Sequence, residues 1–147
     1  MENKTALSLE HINFAFGTTS VINDFSLSVK SGSFTSLLGP SGCGKTTILR
    51  IIAGFLEPES GTIKIDGIDK TKTGVEQRKI GMVFQDYALF PNMTVEQNLL
   101  YGLKIISKNK DENAALVQQT AKMLSISALM KRFPHELSGG QQQRVAL

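Results

Sequence analysis

The sequence has 147 residues, of which 41% are hydrophobic and 20% charged, so it predicts one soluble globular domain and excludes a disordered chain. The net charge of +3 comes from dispersed lysines, which favours a mildly basic surface over a patch that attracts phosphates or an anionic membrane. No apolar run reaches the roughly 18 residues of a membrane span, the N-terminus lacks the pattern of a secretory signal, and the single cysteine excludes an internal disulfide.

The first third of the chain predicts strands. A first strand with loose alternation is indicated by four apolar residues, Leu7, Leu9, Ile12 and Phe14. A second strand ends at Lys30, because Phe25, Leu27 and Val29 alternate with polar residues. A turn at residues 31–32 and a short strand at residues 34–38 then lead into a glycine-rich segment.

A helix follows the glycine-rich segment. Apolar residues at helical spacing predict it from Lys45 to Ala53, with Gly54 as its stop. A turn is predicted at residues 59–61, and Asp66-Gly67 fits a tight hairpin. The apolar residues 80–84 predict a short buried strand that ends at Gln85.

The last third of the chain predicts helices. Thr94-Val-Glu-Gln97 fits a capping box that opens a helix through Leu103. Residues 108–113 are polar, so they form a loop tip or a helix entry. Residues 114–124 and 126–130 predict two more helices, which Pro134 ends. A mixed β/α core is therefore followed by a helical region.

Residues 39–46 read Gly-Pro-Ser-Gly-Cys-Gly-Lys-Thr and fit G-x-x-x-x-G-K-S/T, the pattern of a phosphate-binding loop. Three glycines allow the backbone to curve around phosphates, and the following helix offers its unpaired N–H groups. Lys45 can reach the β- and γ-phosphates, and the Thr46 hydroxyl can bind Mg²⁺. The alternative is a glycine-rich turn that binds nothing; the predicted strand and helix on either side favour the phosphate loop.

Cys43 lies inside this loop. One interpretation is a thiol that the helix N-terminus makes reactive. The other, which we favour for normal function, is a small residue that fills space, with any reactivity incidental to catalysis.

Residues 137–141 read Leu-Ser-Gly-Gly-Gln. Ser138 and Gln141 fit the capping-box form S-x-x-Q, which places a second anion-receptive helix N-terminus in the chain. The plain alternative is an ordinary helix start, although composition makes its chance occurrence beside a phosphate loop rare.

These two segments, in this order, resemble the Walker A loop and the signature of the ATP-binding cassette (ABC) ATPases, and the resemblance spans essentially the whole chain. It implies an α/β fold: a P-loop NTPase core with an antiparallel β subdomain, and a helical subdomain that carries the signature. Residues 1–85 are expected to form the first part and residues 86–147 the second.

The resemblance also implies functional residues. Nucleotide contacts are expected from Phe16, Gly39, Pro40, Ser41, Gly42, Cys43, Gly44, Lys45, Thr46, Thr47, Ser138, Gly139, Gly140 and Gln141. Catalytic roles are expected for Lys45, Gln85 and Ser138, with Thr46 and Gln85 at Mg²⁺. Phe16 would stack on adenine, whereas from composition alone an aromatic residue here is more often part of a core.

Partners follow from the same resemblance. The signature would bind the γ-phosphate of ATP on the phosphate loop of a second ABC ATPase subunit, giving a head-to-tail dimer. Residues 81–91 look like the importer branch, where residues 87–91 would receive a membrane permease subunit at the cytoplasmic face of the inner membrane. The alternative is that Tyr87, Leu89 and Phe90 are core residues. No nucleic-acid partner is implied, and iron(III), polyamine and phosphonate importers look most similar.

The family also carries an Asp-Glu strand end and a switch histidine after the signature. Neither follows residue 141 here, and both histidines, His11 and His135, precede the signature. We therefore expect an N-terminal fragment, truncated after the signature motif, that binds ATP but does not hydrolyse it. Two alternatives stay open: a soluble ABC ATPase of DNA repair or translation, and a non-enzymatic nucleotide-binding module. Residues 87–91 and the short spacing between motifs argue against the first.

Overall fold

A computed structural model describes residues 4–106 and 109–147, without the side chains of residues 104–106. The chain divides into two compact units, the first ending at Met82 and the second beginning at Val83. The subdomain boundary expected after residue 85 stays a prediction.

The first unit is built on one antiparallel sheet. Its strand order is β2-β1-β3-β4. The strands are β1 (Thr5–Phe16), β2 (Thr19–Lys30), β3 (Ser60–Ile65) and β4 (Ile68–Asp69). Leu9 pairs with Leu27 on one side and with Ile63 on the other, so β1 lies centrally among the long strands. The two strands predicted at the start of the chain are confirmed, as is the antiparallel β subdomain.

Helix α1 (Lys45–Ala53) covers the core of this unit. Ile48 and Ile51 lie three positions apart on one helix face, and both are buried. They pack in a cluster with sheet residues Leu9, Ile12, Phe14, Ile22 and Ile63. Burial of each large aliphatic side chain contributes about 1.5–3 kcal/mol, so this cluster anchors α1. The helix has the bounds predicted from the sequence, and Gly54 caps its end.

The turns of this unit are only partly as predicted. Asp66 and Gly67 form the tight β3–β4 connection, as expected. The turn predicted at residues 59–61 is wrong, because Ser60 already pairs with Asn13 of β1. Gly61 lies directly on β1: a Cβ there would come within 2.6 Å of the Glu10 carbonyl oxygen. The glycine therefore serves a close backbone approach within the sheet.

Two predicted strands do not form. Residues 34–38 and 80–84 have no regular secondary structure. Phe34 is 96% exposed and Val83 44%, so these apolar runs are not the buried strands that the sequence predicts. A strand needs a neighbour to share its backbone hydrogen bonds, and neither run is paired in the described part of the chain. A short helix that the sequence did not predict, α2 (Val75–Arg78), precedes the second run.

The second unit is helical. It contains α3 (Val95–Ile106), α4 (Lys110–Met123) and α5 (Gly139–Ala146), with 3-10 turns at Ser127–Leu129 and Pro134–Glu136. The capping box before α3 is confirmed: Thr94 N–H donates to the Gln97 side chain at 2.8 Å. The helix predicted at residues 126–130 is only a 3-10 turn.

Helix α4 starts one turn earlier than predicted. The Asn109 side chain accepts hydrogen bonds from the N–H groups of Asp111 and Glu112, so the polar segment is the helix entry and not a loop tip. Residue 108 lies outside the described residues. The core of this unit comprises Val95, Val117, Ala121, Ile126, Leu129, Met130, Leu137 and Val145. Among the described residues, no helix is both long and apolar enough to cross a membrane.

Candidate functional site

The glycine-rich loop curls around the ammonium group of Lys45. Lys45 Nζ donates to the carbonyl oxygen of Gly39 at 2.9 Å and to that of Pro40 at 2.6 Å. Its third neighbour is Cys43 Sγ at 3.5 Å. One end of the loop is thereby held to the start of α1, and the positive charge lies where the loop bends.

Gly44 brings the loop into close contact with strand β2. Its φ of +90° lies in the left-handed region, and a Cβ there would approach Ile22 Cδ1 to 2.6 Å. Ile22 belongs to the buried core, so it has no room to yield. Only glycine fits both the backbone conformation and the space. The contact of Gly44 with the sheet is therefore one of the contacts that position the loop.

The N-terminus of α1 offers backbone donors beside the lysine. The first helical bond runs from Ile48 N–H to the Gly44 carbonyl oxygen at 2.9 Å. The N–H groups of Lys45, Thr46 and Thr47 precede it, and none has a backbone acceptor in the described residues. Three free donors, a lysine and a helix dipole form a receptor for phosphate oxygens.

The remaining loop residues, Ser41, Gly42 and Thr46, are exposed. A side-chain hydroxyl at Thr46, next to the anion-receptive N–H groups, is a suitable oxygen ligand for a Mg²⁺ ion that accompanies a bound phosphate. The residues present therefore fit both a nucleotide phosphate chain and its metal.

Phe16 ends β1 at the same end of the β1–β2 hairpin as Ile22. It pairs with Thr19, three positions before Ile22 on β2. Its ring stands edge-on to Phe14, with 4.8 Å between the ring centroids, and the side chain is 53% exposed. The core interpretation of Phe16 is therefore wrong. Its exposed face leaves stacking on a base as the expected role.

The Leu-Ser-Gly-Gly-Gln segment opens α5 in the second unit. Ser138 N–H donates to Gln141 Oε1 at 2.9 Å, which is the return bond of the predicted capping box. Leu137 is buried in the core of the unit and anchors the segment. Gln142 ties the helix back, because its side-chain amide donates to the carbonyl oxygen of Pro134 at 2.9 Å. Ser138, Gly139 and Gly140 stay exposed.

Residues 85–91 form an exposed turn in the same unit. Gln85 is exposed, and Tyr87 and Ala88 both have positive φ angles. Leu89 packs against the core, whereas Phe90 is exposed with its ring 4.5 Å from that of Tyr101. Of the residues that could be core, only Leu89 clearly behaves as one; the segment presents Phe90 to solvent.

The sequence matches a known protein family over most of its length. The sequence profile of a family described as ABC transporter matches residues 22–147. This chain belongs to the ABC transporter family.

Two relatives carry the names of import ATP-binding proteins. The Fe(3+) ions import ATP-binding protein FbpC 1 of Haemophilus influenzae is 48% identical over all of this chain and 45% of its own length. The spermidine/putrescine import ATP-binding protein PotA of the same species is 44% identical over all of this chain and 40% of its own. The chain thus spans less than half the length of these relatives.

A solved structure shows the same fold. The protein cbiO1 of Clostridium perfringens, described as part of the ABC transporter complex cbiONQ, matches with a TM-score of 0.85 and 31% identity. The match covers 97% of this chain and 59% of that chain. The expected ABC ATPase fold is therefore confirmed.

The residues expected at the nucleotide fall into both units of this ABC domain. Phe16 and residues 39–47 lie in the first unit, whereas Gln85 and residues 138–141 lie in the second. The individual roles of these residues stay predictions.

Sequence reasoning missed Asn98, which organises the exposed turn. Its side chain accepts from Phe90 N–H at 2.8 Å and donates to the carbonyl oxygens of Met93 and Thr94. It also missed Gln142 and the buried Arg78. The capping box predicted at Thr94 pointed to the start of α3, but no local pattern marks a side chain that binds a loop eight positions earlier.

Cys43 gives a direct test of where nucleotide binds. We expect a thiol-alkylating reagent to block ATP binding, because Cys43 is exposed and its Sγ lies 3.5 Å from Lys45 Nζ. An adduct would occupy the phosphate position, and bound MgATP should slow labelling. Mass spectrometry of the labelled peptide measures both rates. Equal labelling rates with and without saturating MgATP would place Cys43 away from the nucleotide.

Proposed function

We propose that this chain is the ATP-binding part of a subunit that hydrolyses ATP to power an ABC importer. The observation that carries the proposal is the phosphate loop: three unpaired N–H groups at the start of α1 adjoin the ammonium group of Lys45. The loop lies in a domain of the ABC transporter family, which supports the proposal that ATP bound there supplies energy for transport. A module that binds nucleotide without hydrolysing it is the weaker candidate for the complete protein, since relatives of this chain carry the names of import ATP-binding proteins.

Phosphoryl transfer needs positioning and charge stabilisation more than covalent catalysis. Lys45 would leave the loop carbonyls and bind the β- and γ-phosphates, while the N–H groups of Thr46 and Thr47 bind phosphate oxygens. The Thr46 hydroxyl would hold Mg²⁺, which neutralises charge on the phosphate chain when bound, and Gln85 is a further candidate ligand for it. Phe16 would stack on the adenine ring.

The signature would complete the site of a second subunit. The exposed Ser138 and Gly139 stand at the N-terminus of α5, which attracts anions in the same way as α1. Two subunits in head-to-tail contact would each present this helix end to ATP on the partner's phosphate loop. A symmetric dimer with two composite sites is therefore part of the proposal.

The permease would dock on residues 87–91. Asn98 binds the backbone of Phe90, whose exposed ring lies 4.5 Å from that of Tyr101, and this aromatic pair gives an apolar surface suited to a short helix. A docked permease would place the subunit at the cytoplasmic face of the inner membrane. The import names of the relatives favour this over a soluble ATPase of DNA repair or translation, and favour iron(III) or polyamine as cargo over phosphonate.

Nucleotide binding by this chain tests the central claim. We expect ATP to bind at least about tenfold more tightly than AMP in isothermal titration calorimetry, because the loop recognises the β- and γ-phosphates that AMP lacks. Lys72→Ala, a change at an exposed lysine outside the loop, should leave both affinities unchanged. Equal affinity for ATP and AMP would contradict the phosphate-loop assignment. Copurification of membrane permease subunits with the complete protein would separate an importer from a soluble ATPase.

A further inference from the structure

We infer that Arg78 is a positioning residue for the phosphate loop and that it acts through helix α1. The inference rests on the proposed function, because it assigns Arg78 a role in phosphate binding. Arg78 lies in α2 and contacts the end of α1 opposite to Lys45. No motif in the sequence marks it.

The guanidinium group joins two segments of the first unit. Nη1 donates to the carbonyl oxygens of Ile51 and Ile52, in the last turn of α1, at 2.6 and 2.8 Å. Nε donates to the Thr73 carbonyl oxygen at 2.7 Å, and Nη2 donates to that of Thr71 at 2.9 Å. One side chain therefore caps the helix and fixes it to the chain that follows the sheet.

The charge of Arg78 has no carboxylate beside it. The side chain is 4% exposed, and no acidic group of the described residues lies within ion-pair distance. Burial lowers its pKa, and the more distant charge of Glu57 opposes that effect. The negative end of the α1 dipole supplies the compensation, since the last helical carbonyls point at the guanidinium group. The buried guanidinium group of Arg78 is therefore held in place by the carbonyl oxygens at the end of α1.

The space around Arg78 is closed on the helix side. Gly54 ends α1 with a φ of +89°, and a Cβ there would come within 2.9 Å of Arg78 Nε. The guanidinium group is thus packed directly against the backbone at the helix end. Its four hydrogen bonds to backbone carbonyl oxygens hold it there.

The segment of residues 71–73, to which Arg78 donates, is itself bonded to the sheet. The Thr71 hydroxyl accepts from Ile63 N–H at 2.9 Å and donates to Asp69 at 2.7 Å. At the other end of α1, Gly44 lies against Ile22 of β2. Helix α1 is therefore attached to the sheet at both ends. Because a helix of 9 residues moves as a rigid rod, release of its last turn would tilt the first turn, which carries Lys45 and Thr46.

Inorganic tripolyphosphate is the probe, because it reports on the phosphate loop without a base. We expect Arg78→Met to weaken its binding to the 147-residue chain at least about tenfold, since loss of the clamp misplaces donors that must converge. Arg78→Lys should weaken it nearly as much, because an ammonium group keeps the charge but cannot reach both segments. The control is Arg50→Met, which removes an exposed arginine from the last turn of α1. This variant should bind tripolyphosphate as tightly as the unchanged chain does.

A purely structural role would lower the melting temperature and leave the affinity of the folded chain unchanged. Affinities are therefore measured by calorimetry well below each melting temperature, with circular dichroism to confirm folding. Unchanged affinity in folded Arg78→Met and Arg78→Lys would overturn the inference; if Arg78→Met does not fold, Arg78→Lys decides. Lys45→Ala separates the two claims: if it leaves tripolyphosphate binding intact, the proposed function fails and the inference fails with it.

Discussion

Lys45→Ala in the complete protein is expected to reduce ATP hydrolysis to background. The change removes the cation that stabilises charge on the transferred phosphoryl group, an effect worth about a hundredfold to a thousandfold in turnover. It also removes the two hydrogen bonds that close the loop, from Nζ to the carbonyl oxygens of Gly39 and Pro40. Both losses fall on the same site, so activity should suffer more than folding.

Steady-state phosphate release measures the effect. Lys45→Met keeps the length of the side chain while removing its charge and both Nζ hydrogen bonds, so it should lose turnover as Lys45→Ala does and shows that lost packing is not the cause. Lys72→Ala is the matched control at an exposed lysine of the same unit and should retain normal turnover. Turnover of Lys45→Ala within about tenfold of the unchanged protein, well short of the loss expected for such a stabilising group, would refute the assignment of the phosphate loop.

Elements with local signals were predictable from the sequence. Helix α1 has its predicted bounds because the glycines at both of its ends interrupt the helical pattern and the left-handed cap at Gly54 is a local requirement. The capping box before α3 is equally local, since Thr94 and Gln97 satisfy each other's backbone groups. The start of α4 was placed too late because the polar first turn fitted a loop tip as well as a helix entry, and the Asn109 cap decides for the helix entry.

Strands that depend on distant partners were not predictable in this way. Residues 34–38 and 80–84 carry β-like apolar runs, yet neither joins the sheet that the structure describes. Sequence pattern reports the preference of a segment, whereas a strand also needs hydrogen-bonding neighbours. The β1–β2 hairpin succeeded because its two strands are adjacent in sequence and supply each other's partners.

Long-range polar contacts of the site were equally invisible. Arg78 binds the carbonyl oxygen of Ile51, 27 positions earlier, and such backbone acceptors leave no mark in the sequence. The phosphate-loop and signature motifs were visible in the sequence because each is a short run of consecutive residues. The sequence therefore marks the candidate contact residues, but it does not mark side chains such as Arg78 that bind distant backbone groups.

The second large effect concerns the signature. We expect Ser138→Arg to abolish the site on the partner subunit, because Ser138 is exposed at the N-terminus of α5 and a bulky arginine there would block the approach of a γ-phosphate. The substitution removes the Ser138 hydroxyl from the capping box but keeps its return bond, in which the backbone N–H of Ser138 donates to Gln141 Oε1, so α5 should still form. Ser127→Arg, at an exposed serine of the same unit, is the matched control.

A mixed dimer of the complete protein tests whether the signature acts between subunits. One chain carries Lys45→Ala and the other Ser138→Arg. The intact signature of the Lys45→Ala chain then faces the intact loop of the Ser138→Arg chain, so one composite site is whole and the other is doubly damaged. Each homodimer, by contrast, has damage at both sites.

The mixed dimer is therefore expected to regain ATP-dependent dimerisation, and partial turnover, that both homodimers lack. Size-exclusion chromatography with light scattering measures the dimer, with a different affinity tag on each chain to isolate the mixed species. If loop and signature instead acted within one chain, the Lys45→Ala chain would lack a loop and the Ser138→Arg chain a signature, and no site would be whole. A mixed dimer as inert as both homodimers, with all three shown to be folded, would exclude the in-trans arrangement.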